Sequence, residues 1–116
     1  MLRRLYISIA ILLASVSAGA ITLEQAVDTL YARMSLPDSL DYPRSFFVEN
    51  ARMSLLAKEN MPWGKTISDT LFYDFVLPVR TNNERLDSCR TVFYNELAPR
   101  VSGMSIGEAA LEVNHW

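Results

Sequence analysis

Covalent catalysis through a thioester needs a cysteine nucleophile and a histidine base, and this chain holds one of each, Cys89 and His115. To act, the thiol needs an environment that lowers its pKa and the imidazole within hydrogen-bond reach. Cys89 falls on an apolar stripe beside Phe93, where a cysteine usually behaves as a small buried hydrophobe. Arg90 follows it, but no lysine is adjacent and no helix N-terminus is evident there. His115 is next to last, where a chain end frays. No catalytic residue is expected.

Other chemistry is equally thin. A single His and a single Cys, without HxxxH or CxxC spacing, do not make a zinc set, and no metal is expected. No Gly-rich phosphate loop is present, and no cofactor is expected. Glu24, Asp28, Asp69, Asp74, Glu108 and Glu112 read mostly as solvated acids on helix surfaces, although Glu108 and Glu112 are four apart. Trp63, in MPWG, suits either a carbohydrate or peptide surface or a plug where a helix turns, and the plug is favoured. Arg80, Asn82, Asn83, Glu84 and Arg85 suit either a ligand site or a turn plus a cap, and the second is favoured.

The elements that must position these residues read as helices. Thr22 and Gln25 have the spacing of a capping box, and Leu23, Ala26, Val27, Leu30, Tyr31 and Met34 follow at helical spacing, which predicts a helix over 22–35. Residues 36–43, with two prolines among aspartates and a serine, predict a connector. A second helix starts near Pro43, with Phe47, Val48, Ala51, Leu55 and Leu56 on one face and Arg52, Lys58 and Glu59 in water; MPWG ends it. Ser68 caps a third, with Leu71, Phe72, Phe75 and Val76 as its apolar face, although the β-rich LFYDFV leaves a strand open. After Pro78 and a polar turn, Asp87 caps a fourth helix lined by Leu86, Cys89, Phe93 and Leu97, ending near Pro99 to Gly103. Ser105 and Glu108 open a fifth as a capping box, with Ile106, Ala109, Ala110, Val113 and Trp116 in its stripe. No polar turn, Gly or Pro closes it.

Ahead of these helices, Arg3 and Arg4 precede an apolar run from Leu5 to Val16, and Ala18-Gly19-Ala20 supplies small residues. This is the pattern of a secretory signal peptide over 1–20, cut after Ala20. An uncleaved membrane anchor is the alternative, disfavoured because the run is shorter than a bilayer normally needs. No Cys follows the run, which argues against attachment through an N-terminal lipid. Cleavage removes Arg3 and Arg4 and no acid, moving the formal net charge from −2 to −4. That balance argues against nucleic acid and anionic lipid as partners. An exported chain with one Cys has no internal disulfide, so stability rests on packing.

Three stretches carry a resemblance: MPWG at 61–64, FVLPVRTNNERLD at 75–87 and AALEVNHW at 109–116. In this order they resemble the helical region that precedes the catalytic core of secreted transglutaminase-like proteins of the Bacteroidetes. The resemblance covers roughly residues 45–116, and its more specific part is the pairing of PWG with the LPxRxNNE segment. It implies a papain-like core downstream with a Cys–His–Asp triad, performing acyl transfer or amide hydrolysis. No position here matches any member of that triad. Cys89 belongs to a helix of the preamble and His115 to the NHW element, so no catalytic role carries over. Trp63, Arg80, Asn82, Asn83, Glu84, His115 and Trp116 are expected to serve structure or core docking.

The expected fold is all-α, with four to five short helices over 21–116 after the signal peptide. The expected function is an exported, non-catalytic helical segment of a transglutaminase-like protein. Its partner is a missing C-terminal catalytic core, or another protein, and no membrane after signal cleavage. On this reading the last helix has no stop because the chain is truncated, and Trp116 packs on a core that it lacks. The alternative is a small exported helical module that binds another protein.

Overall fold

A computed structural model describes residues 20–116 apart from residue 81. The expected signal peptide, except for its last residue Ala20, lies outside the described residues. The described residues form six helices and no strand: α1 (Leu23–Arg33), α2 (Leu36–Asp41), α3 (Arg44–Asn60), α4, α5 (Cys89–Val101) and α6 (Ile106–His115). Helix α4 is an α turn, Asp69–Leu71, running directly into a π turn, Phe72–Val76. Among the described residues no helix is long and apolar enough to cross a membrane.

The helix starts follow local chemistry. The Thr22 hydroxyl accepts from the Gln25 N–H at 3.1 Å, and the Gln25 side chain accepts from the Thr22 N–H at 3.0 Å. Two donors that the first turn leaves open are thereby satisfied. Ser68 and Ser105 accept from the N–H of Leu71 and Glu108, one-way caps, so the box expected at Ser105 and Glu108 forms only in its serine half. Pro43 is the N-cap residue of α3, its fixed φ suiting a helix entry.

Packing joins these helices in series, α1 on α3, α3 on α5 and α5 on α6. The main core lies at the α1–α3 contact, where Ala26, Val27, Leu30, Phe47 and Ala51 are buried together with Phe72 and Leu77. Phe47 is its centre, meeting Tyr31 at 5.4 Å and Phe46 at 5.3 Å in edge-to-face contacts. Such pairs are worth roughly 0.5–1.5 kcal/mol beyond the area they bury.

Four expectations are corrected. Residues 36–43 are not a plain connector, because Ser35 caps the six-residue helix α2 and Pro37 sits in its first turn, where its missing N–H costs nothing. Half of the expected face of α4 turns inward, with Phe72 buried and Val76 packed against the core, but Leu71 and Phe75 are 46% and 79% exposed and Leu77 is buried instead. The π turn is the cause. Its bond from the Leu77 N–H to the Phe72 carbonyl, at 2.9 Å, closes five residues instead of four and brings Leu77 round beneath Phe72. The strand left open there does not form. Helix α5 begins only at Cys89 and exposes both Cys89 and Phe93, so of the expected stripe only Leu86, just before the helix, is fully buried. In α6 only Ala109 is buried, and Trp116 does find a partner within the chain: it meets Phe93 edge-to-face at 5.1 Å and remains 44% exposed.

Gly64 explains why MPWG ends α3 as it does. A Cβ at this buried position would overlap the Lys58 carbonyl, so the chain turns back against the helix end only where there is no side chain. Gly103, after α5, has φ +77°, the left-handed conformation that glycine adopts without strain.

Candidate functional site

Cys89 opens α5, and its N–H donates to Asp87 Oδ1 at 2.9 Å. A helix N-terminus ordinarily lowers a thiol pKa. Here the Asp87 carboxylate, hydrogen-bonded to the thiol, outweighs that and pushes the Cys89 pKa up, with burial adding to the effect. The same contact lowers the pKa of Asp87. His115 is exposed at the last turn of α6, with no hydrogen bond to Cys89. The arrangement is the reverse of an activated nucleophile. Among the described residues no cluster of three or more His, Cys, Asp and Glu could hold a metal ion.

The Arg80–Glu84 segment is held by a long-range contact that spacing did not reveal. Arg80 donates from Nε and Nη2 to the two carboxylate oxygens of Asp38 on α2, at 3.1 and 2.9 Å. Its Nη1 donates to the Glu84 carbonyl, and the Asn82 N–H donates to Glu84 Oε2 at 2.7 Å. The fork-shaped pairing fixes the guanidinium plane. It also holds the Asp38 carboxyl below its ordinary value and raises Arg80. Arg80 is thus tied both to α2 and to Glu84. Asn82 and Asn83 remain exposed.

These contacts frame a cleft of about 470 Å³ between the end of α1, α2, Tyr73, the stretch Leu77–Arg80 and Asn83. Leu30, Met34, Leu77 and Pro78 line it with carbon, and Arg33, Tyr73 and Asn83 bring polar groups. Arg33 is fixed across it, donating from Nη1 to the Tyr73 carbonyl at 2.9 Å and to Asp74 at 2.6 Å. A second, almost wholly apolar cleft of about 260 Å³ lies between the end of α3 and α5. The half-buried Trp63 lines it beside Met61, Phe93 and Leu97.

Arg90 has the role that sequence reasoning missed. Its guanidinium reaches from α5 to Ser54 of α3 at 2.6 Å and to the carbonyls of Leu77 and Pro78 at 3.1 and 2.7 Å. All three partners are neutral, and burial pushes its pKa down from the ordinary arginine value. One side chain thus fastens α3, α5 and the exit of α4. No local signal marks it, since its partners lie 12 to 36 residues away. The chain matches no family model, no curated protein and no solved structure.

Proposed function

We propose that this chain is the exported helical region that precedes the catalytic core of a transglutaminase-like cysteine enzyme, non-catalytic by itself. The motif order of MPWG, FVLPVRTNNERLD and AALEVNHW supports the reading. The observation that carries it is the open apolar surface of the last two helices, with Val92, Phe93, Leu111, Val113 and Trp116 each 44–65% exposed. A surface of that kind suits a further domain or a partner protein packing over it. In the parent protein the core would supply the Cys–His–Asp triad, and acyl transfer or amide hydrolysis would take place there.

A second reading has an observation of its own. Trp116 is held by Phe93, and its Nε1 donates to Glu96 Oε2 at 3.0 Å, which favours a helical module that closes on itself and binds another protein. Sequencing the gene through and past the codon for Trp116 separates the two. A frame that continues, or resumes after one indel, into a segment supplying Cys, His and Asp in that order supports the preamble. A stop with no such segment beyond it leaves the binding module. Either way the purified chain is expected to show no transglutaminase or peptidase turnover. Turnover abolished by Cys89→Ser would overturn both.

A further inference from the structure

We propose that the cleft between α1, α2 and the stretch Leu77–Arg80 binds a small molecule carrying one carboxylate on an apolar body. The inference goes beyond the proposed function and does not depend on it. The cleft volume of about 470 Å³ falls in the range of small-molecule sites, roughly 300–1,000 Å³. Its build also fits: aliphatic walls from Leu30, Met34, Leu77 and Pro78, with few polar groups to set orientation.

The ligand class follows from which hydrogen-bonding groups are already used. Asp38 and Arg80 are paired with each other. Arg33 spends Nη1 on the Tyr73 carbonyl and Asp74, and its Nε–Nη2 edge has no partner among the described residues. That edge presents two parallel N–H donors, the geometry that takes a carboxylate bidentately. Asn83 and Tyr73 line the same cleft, and neither side chain makes a hydrogen bond among the described residues. The Arg33 edge is donor-only, and the group that complements it is acceptor-only, which an ionised carboxylate is. Asp74 at 2.6 Å offsets part of the Arg33 charge, so selection rests on the donor geometry and on the apolar body together. The Tyr73 wall is also part of the π turn, a feature that occurs frequently at functional sites.

The carboxylate has two plausible sources, an alkyl acid and the C-terminus of an apolar peptide. Calorimetric titration of the full chain with octanoate and with N-acetyl-leucyl-leucine, each beside its carboxamide, tests both. At least one acid is expected to bind saturably, about tenfold tighter than its amide, as one charge-assisted bidentate contact implies. The tighter acid identifies the source. Arg33→Gln is expected to lower its affinity about tenfold. Asn83→Ala is expected to lower it severalfold without moving the melting temperature, and it decides the matter if Arg33→Gln fails to fold. No saturable binding of either acid, equal binding of acid and amide, or full affinity in the folded variants overturns the proposal. Because no core and no turnover enter the measurement, its failure leaves the proposed function untouched.

Discussion

Arg90 Nη1 donates to Ser54 Oγ at 2.6 Å, and that hydroxyl donates onward to the Asn50 carbonyl at 2.8 Å. Asn50 in turn gives its side-chain N–H to the Phe46 carbonyl at 2.8 Å. Ser54 and Asn50 are the buried polar side chains among the described residues, and this relay leaves neither unsatisfied. A guanidinium without a carboxylate is tolerable here because neutral oxygens accept from it, two of them carbonyls at the exit of α4, where a helix end carries negative partial charge.

Arg90→Met keeps the stem and deletes the donors. It is expected to cost roughly 1–3 kcal/mol, the range for buried acceptors left unsatisfied. Arg90→Lys restores the charge without the fork and recovers only part of that. Urea unfolding of the three proteins checks the order. A methionine variant as stable as the parent would mean that the α3–α4–α5 junction does not need the guanidinium.

Gly64→Ala and Gly107→Ala should move stability in opposite directions. At Gly64 the new methyl meets the Lys58 carbonyl, and overpacking of this kind costs about 1–3 kcal/mol. At Gly107, in α6, it meets open space, and loss of glycine's unfolded-state freedom stabilises by about 0.4–1 kcal/mol. Melting temperatures of the two variants would show it.

The Asp38–Arg80 pair gives a pH dependence with a definite sign. The folded-state pKa of Asp38 is lowered, chiefly by its hydrogen bonds from Arg80. Its contribution is therefore present above the unfolded aspartate pKa of about 3.9 and is lost as pH falls through the lower folded value. Glu49, lowered by Arg52, and Asp87 act in the same direction. Asp38→Asn should flatten the acid limb of a plot of urea midpoint against pH between neutral and about pH 3. An acid limb unchanged in the variant would show that the pair carries no such linkage.

Cys89 should be a slow nucleophile. Its pKa lies above the ordinary thiol value because Asp87 accepts the thiol proton's hydrogen bond and disfavours a second negative charge. Iodoacetamide alkylation is expected to rise with pH along a curve displaced above the free-thiol midpoint of about 8.5, and Asp87→Asn should bring that curve down. A midpoint at or below the free-thiol value in the parent chain would contradict the contact.

A side-chain truncation at the core centre should be the most costly of these changes. Phe47→Ala removes the ring that Tyr31, Tyr42 and Phe46 pack around, and about 3–5 kcal/mol is expected. Thermal unfolding monitored by circular dichroism would read it. A loss under 1 kcal/mol would mean that α1 and α3 do not depend on this ring for their packing.

The sequence by itself determined the helical character, the caps of Thr22, Ser68 and Ser105, the turn at MPWG and the α1–α3 core face, because these follow from contacts within one or two turns of helix. Periodicity names a set of apolar residues but not the phase in which they are used. In LFYDFVL two phases are equally apolar, and only the widened turn beneath Phe72 chose Leu77 over Leu71 and Phe75. Helix α2 stayed hidden because the prolines and aspartates of residues 36–43 read as a breaker, while Ser35 and the Asp38–Arg80 pair hold it as a helix. The tertiary structure alone decided the candidate cleft, the exposure of Cys89 and the latch at Arg90. Each depends on partners brought together from different elements, and the directed bonds that a guanidinium or a carboxylate makes at long range leave no period in the chain.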